Sequence, residues 1–162
     1  MRDDISSALH NFDKLINLLI GESNEGSRKA LKSLRSRARN GPMDILSNGL
    51  PATLLYLLSK SSDKGEHLYG ILIKSLNEGS IDKRLLKDGF GYAAYTYLIL
   101  SRCAELGFID ENLINDTKPP IKAISKLIEI ESIVLPILLP YLSEIKKLAS
   151  AVIDDDGNLL IG

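Results

Sequence analysis

The chain has 162 residues and a formal net charge of −1, with 44% hydrophobic, 6% aromatic and 25% charged residues, which allows one domain with a sizeable core and leaves no room for two. Its apolar content is largely Leu and Ile, suiting helix packing better than a β-sandwich, and its one cysteine, Cys103, excludes an intrachain disulfide and gives no reason for an oxidising compartment. The polar start MRDDISSALH has no apolar signal-peptide core, and no apolar run approaches the roughly 18 residues of a membrane span, so a cytoplasmic protein without a membrane partner is expected.

With Asp3 or Asp4 as N-cap, Ile5, Ala8, Leu9, Phe12, Leu15, Ile16 and Leu19 recur at helical spacing, and Gly21 ends this first amphipathic helix. Ser27 can cap a second helix over 28–39. Asn40-Gly41-Pro42 should stop it, because Gly favours a C-terminal stop and Pro tolerates only a first turn, so a short helix is expected to restart there and run through Ser47. Asn48-Gly49 closes that piece, and Pro51 opens PATLLYLLSK, which is apolar nearly all round and expected to be buried.

Leu68, Tyr69, Ile71, Leu72 and Leu76 mark a helix over 63–78, followed by a short one over 80–87 and a link over 88–91. A long helix is predicted over 92–106, stopped by Gly107, with a further turn over 110–115. Pro119-Pro120 can begin a helix through Ile121, Ile124, Leu127 and Ile128, and Pro136 and Pro140 either kink it or break it before a last one. The pattern predicts an all-α fold, a compact single-domain helical bundle of about six to eight helices over 1–153, with a loose acidic C-terminal tail over 154–162.

Charge is distributed unevenly. Six of the twenty Lys and Arg residues lie between 28 and 39 with no acid among them, a local +6 in a chain that is −1 overall. At about 100° per residue, Arg28, Lys32, Arg35 and Arg39 form one stripe, while Ala30, Leu31, Leu34 and Ala38 form the adjoining apolar flank. The stripe is roughly 16 Å long, on the order of five nucleotides of one strand. Such a row is either a solvated helix face or a rail for phosphates. Lys118, Lys122 and Lys126 make a second, shorter row, and Tyr92 and Tyr95 serve either as base-stacking rings or as core.

No catalytic constellation is visible, so neither an enzyme nor a cofactor or metal site is expected. His10 and His67 stand alone, and Cys103 sits inside a predicted helix as core packing. Asp154-Asp155-Asp156-Gly157 lacks the later ligands of a calcium loop, and Gly89-Phe90-Gly91 lacks the spacing and the Lys of a phosphate loop.

Arg37, Ala38 and Arg39 before Pro42 and Ile45, then Asn48-Gly49-Leu50, then a leucine-rich segment with Leu54, Tyr56, Ser59 and Lys60, form one further pattern. This stretch resembles the small α-helical subunit of type III-B CRISPR RNA-guided effector complexes, the Cmr complexes. The resemblance implies a non-enzymatic protein of antiviral defence that stacks in a few copies beside guide-holding subunits, its basic surface lining the guide and target RNA. Its implied partners are the other subunits, copies of itself and RNA. The candidate RNA contacts are Arg28, Lys32, Arg35, Arg37, Arg39, Lys60, Lys122 and Lys126. On this reading Leu50, Leu54 and their neighbours are core and the stripe is the contact surface. A helical protein-interaction adaptor without nucleic-acid binding, its stripe meeting an acidic patch, stays open as the alternative.

Overall fold

Residues 3–160 are described by the structure, a computed structural model. The α-helices are α1 (Asp4–Leu19), α2 (Glu25–Asn48), α3 (Leu50–Lys60), α4 (Leu68–Glu78), α5 (Gly89–Glu105) and α6 (Ile121–Val152). A two-residue hairpin, β1 (Ser62–Asp63) and β2 (Glu66–His67), joins α3 to α4, and 3-10 turns at Lys83–Leu85 and Glu111–Leu113 flank α5. The all-α class holds.

The bundle is organised around α5, which is buried continuously from Ala93 to Cys103 and packs against α1, α2, α3, α4 and α6. Glycine permits the closest of these approaches: a Cβ on Gly91 would overlap the side chain and backbone of Ser33 on α2. The Gly-Phe-Gly segment is therefore the first turn of α5 and not a link. The amphipathic reading of α1 holds for Ala8, Phe12, Leu15, Ile16 and Leu19, which are buried, whereas Ile5 and Leu9 are exposed; Asp3 caps the helix by accepting from the Ser6 amide at 2.7 Å.

Several expectations at helix boundaries are corrected. The basic helix does not stop at Gly41: α2 runs unbroken for 24 residues with Pro42 inside it and Asn24, not Ser27, at its cap. A Cβ at Gly41 would overlap the Tyr95 ring, so this glycine serves close packing. Ala38 and Ile45, on either side of Pro42, are fully buried. Burying such side chains contributes about 1.5–3 kcal/mol each for the larger ones, enough to offset the roughly 3 kcal/mol that an interior proline costs.

The helix over 63–78 begins only at Leu68, after the hairpin, and the expected short helix over 80–87 is a single 3-10 turn. In α6 the prolines at 136 and 140 lie within the helix, and the kink falls earlier, at Ile130 (φ −121°, ψ 15°).

Beyond α6 the chain turns back on itself. Ile153 pairs with Leu159, the Leu160 amide donates to the Val152 carbonyl at 2.8 Å, and Ile153 is fully buried. No helix among the described residues is long and apolar enough to cross a membrane.

Candidate nucleic-acid interface

The interface begins with how α2 is anchored. Asn24 accepts from the Ser27 amide at 2.8 Å, and Ser27, buried, donates its hydroxyl to the Asn24 carbonyl at 2.8 Å. Glu25 in the first turn suits the positive end of the helix dipole and lies 3.7 Å from Lys29, easing the cost of cations there. Ala30, Leu31, Leu34 and Ala38 are buried as the spacing predicts. The helix has no break, so Arg28, Lys32, Arg35 and Arg39 run as one row.

The row is not evenly open. Lys32 and Arg39 are exposed, whereas Arg28 and Arg35 are half-buried beneath the C-terminal turn. Arg28 donates to the Ser23 carbonyl at 3.0 Å, and Arg35 pairs with the Asp155 carboxylate at 2.9 Å. Gly157 packs against the Arg28 carbonyl. Asp154 holds the turn by accepting from the amides of Asn158 (2.8 Å) and Asp156 (2.9 Å), bonds that keep its carboxyl below the usual carboxylate range. An acidic turn therefore lies along the N-terminal half of the stripe. Asp155 is 88% exposed, so its pair with Arg35 is screened and contributes less than about 1 kcal/mol, which leaves it exchangeable.

Arg37 is separate from that row. At about 100° per residue it is roughly opposite Arg39 around α2, and its guanidinium carbon lies 4.7 Å from the centroid of the Tyr92 ring on α5. Tyr92 meets Tyr56 of α3 edge to face (centroids 6.1 Å apart, planes at 69°), and Lys60 places its Nζ 5.8 Å from the Tyr56 centroid. Cation, ring, ring and cation thus form a ladder across three helices. Burial raises the Tyr92 phenol above its ordinary value, so the ring stays neutral at physiological pH.

Beside the ladder runs a groove of about 690 Å³, lined among others by Arg37, Arg39, Asn40, Met43, Asp44 and Tyr56. Tyr56 is 47% exposed and Met43 65% exposed. Neither Arg37 nor Arg39 has an ion pair or hydrogen bond among the described residues, and Arg37 Nε is buried without a partner. Apolarity nearly all round suggested a buried α3, and the structure corrects this: Leu50, Leu54 and Leu57 are core, but Leu55 and Tyr56 face out. Exposure of Tyr56 could not be read from α3, where Lys60 is the only charge and no polar face marks the outside.

The remaining candidates divide clearly. Lys122 and Lys126 are exposed on the first part of α6, while Lys118 precedes that helix, so the second row is a pair. Tyr95 is fully buried and is core. Cys103 is also core, its thiol pushed up to about 12 by burial.

A polar cleft of about 770 Å³ between α1, α4 and α5 includes His10, Asn11, Lys14, Tyr97, Ser101 and Glu105. At its floor Asn11 donates to Glu105 at 2.8 Å and Arg102 pairs with Glu105 at 3.1 Å, a structural network. No group of three or more His, Cys, Asp or Glu that could hold a metal occurs among the described residues.

A family model described as "CRISPR-associated protein (Cas_Cmr5)" matches residues 17–103. The chain is 32% identical over 154 residues to the CRISPR system CMR subunit Cmr5 of Saccharolobus solfataricus, covering 93% of this chain and 94% of that protein. Among solved structures it superposes on a chain of the type III-B Cmr-beta complex bound to non-cognate target RNA, with TM-score 0.75, 25% identity, and coverage of 95% of this chain and 98% of that one. A chain of the type III-B Cmr-beta assembly bound to cognate target RNA and AMPPnP gives TM-score 0.72 at 26% identity, covering 94% and 97%. Family model, relative and fold agree over the segment that carries the stripe and the ladder: the chain belongs to the CRISPR-associated Cmr5 family.

Proposed function

We propose that the protein is a non-enzymatic small subunit of a type III-B CRISPR ribonucleoprotein effector, acting in the cytoplasm in antiviral defence. It stacks in a few copies and lines the guide and target RNA with its basic face. The single observation that carries this reading is the unbroken α2, which docks by its apolar flank and holds Arg28, Lys32, Arg35 and Arg39 in one row. A row of cations on a rigid helix attracts phosphates without reading bases, which suits a machine whose specificity comes from guide pairing. The two structural relatives are chains of complexes bound to target RNA, which supports the setting. On this reading residues 1–153 are the helical domain, and the acidic tail over 154–162 is an exchangeable counter-charge beside the stripe.

Replacing Arg28, Lys32, Arg35 and Arg39 by Ala tests it in the assembled complex. Affinity for RNA should fall, and the slope of log K against log salt should flatten by about 3, since each lost phosphate contact removes roughly 0.7–0.9. Helix content by circular dichroism should not change. Equal affinity and slope in the variant would remove the stripe from the RNA path.

A second reading has one observation in its favour: Arg35 already holds a carboxylate, Asp155. If the stripe serves an acidic protein patch, the same variant fails to co-purify with partner subunits while any RNA affinity of the chain is unchanged.

A further inference from the structure

The ladder and its groove have a chemistry that the stripe lacks. Phosphate attraction needs only charge, yet here two arginines without ion partners among the described residues, two asparagines and a half-exposed tyrosine ring surround one depression. The Tyr56 ring is fixed rather than free: Tyr92 meets it edge to face, and Lys60 stands near its centroid. A ring held in this way loses little entropy on gaining a stacked partner. Among the described residues Asp44 is the only acid lining the groove, against Arg37 and Arg39, so the occupant is favoured to be anionic. It is also favoured to be flat and aromatic, because the large exposed apolar side chains are a ring and Met43, which adapts to a planar surface, with only the small Ala52 beside them. An unpaired nucleotide of an RNA strand combines both properties.

The geometry points to a stacking site for one unpaired nucleobase on Tyr56, with Arg37, Arg39 and Lys60 holding the phosphates on either side. Asn40 and Asn48, which also line the groove, offer amides to whichever base edge enters, so the site is tolerant of sequence. This inference rests on the RNA reading but centres on the Tyr56 ring rather than on the row of cations, with Arg39 at the end of the stripe belonging to both. The stripe holds a strand by its backbone, while the groove takes a base that has left its pair.

The test uses the full-length chain at low salt with two probes of equal length, a single-stranded oligouridylate and an abasic ribose-phosphate strand. Replacing Tyr56 by Leu should weaken oligouridylate binding about tenfold, the usual effect of one lost base-aromatic stack, and leave the abasic strand unaffected. Tyr56→Phe, which keeps the ring, should bind like wild type. Tyr56 is half-exposed, so neither change threatens the fold, and thermal melting checks this.

Equal affinity of wild type and Tyr56→Leu for oligouridylate overturns the stacking site, as does an equal loss on both strands. If the four-alanine stripe variant loses both strands while Tyr56→Leu loses neither, the RNA reading stands and this inference falls. Failure of the wild-type chain, alone and assembled, to hold either strand overturns both. Release of Tyr56→Leu from partner subunits with unchanged RNA affinity would make the groove a protein joint and likewise overturn it.

Discussion

Gly41 shows how a single residue can look like one thing in sequence and act as another in the fold. Asn-Gly-Pro is a strong local stop, because Gly readily leaves the helix and Pro cannot donate its missing amide. The structure keeps Gly41 helical because Tyr95, fully buried on α5, occupies the space of a Cβ. Alanine is favoured over glycine inside a helix by about 1 kcal/mol, so propensity alone predicts that Gly41→Ala stabilises. The contact predicts the reverse. Overlap with the Tyr95 ring should cost about 1–3 kcal/mol beyond the propensity gain, seen as a lower denaturant midpoint at unchanged slope. A higher midpoint would mean that Tyr95 yields and that α2 is continuous for another reason. The signal for this packing was absent from the local sequence, since Gly41 and Tyr95 are far apart in the chain and meet only when α2 and α5 pack.

At the scale of elements, α3 is the helix that depends most on a distant partner. It starts abruptly after Gly49, whose φ of +89° only glycine adopts easily, and no side chain of its own neighbourhood caps it. The cap comes from α6: the Glu131 carboxylate accepts from the Leu50 amide at 2.5 Å, one residue past the kink at Ile130. A carboxylate there satisfies an otherwise unpaired donor and complements the helix dipole. Glu131→Ala should therefore cost about 1–2 kcal/mol in chemical denaturation and speed hydrogen exchange at the Leu50 amide, with Glu131→Gln between it and wild type. Unchanged exchange at Leu50 would show that the carboxylate is not its partner. The sequence displayed the Asn-Gly-Leu turn, the proline that follows, and Leu50 and Leu54 as core. It could not display a cap supplied from 81 residues away. The same limit applies to the kink, which the prolines suggested at 136 or 140 but which falls where α6 meets the start of α3.

Across the whole molecule, periodicity made most of the helices legible, because an apolar face at helical spacing must find a core. Charge spacing likewise made the stripe legible. The ladder was not, because Arg37, Tyr56, Lys60 and Tyr92 come from three helices whose registers are set by packing.

A buried polar network joins elements that are just as far apart in sequence. Asn11 on α1 donates to Glu105 on α5 (2.8 Å) and to the Tyr141 hydroxyl on α6 (3.2 Å). Tyr141 in turn donates to the Leu98 carbonyl at 2.9 Å. Arg102, 4% exposed, pairs with Glu105 at 3.1 Å and with Asp4 at 3.0 Å, and Ser7 also donates to Glu105. Burial pushes the Glu105 carboxyl up, but the hydrogen bonds from Ser7, Asn11 and Arg102 outweigh it, and the net effect holds it below the usual carboxylate value for Glu.

A carboxylate depressed in the folded state adds stability that is fully present above its unfolded value and lost as pH falls through the folded one. Glu105→Gln should therefore destabilise the bundle by about 2–3 kcal/mol at neutral pH, where a charged, hydrogen-bonded partner of Arg102 is removed. The gap between variant and wild type should stay constant down to about pH 5 and narrow below it as the wild-type carboxyl takes up its proton. Melting temperatures of the two proteins across the acid range measure that gap directly, and the other depressed carboxyls, Asp3, Asp82 and Asp154, cancel because both proteins carry them. A gap that does not depend on pH would mean that Glu105 contributes shape rather than charge, and that α1, α5 and α6 are held together by their apolar faces and by the bonds that Asn11, Tyr141 and Arg102 make without it.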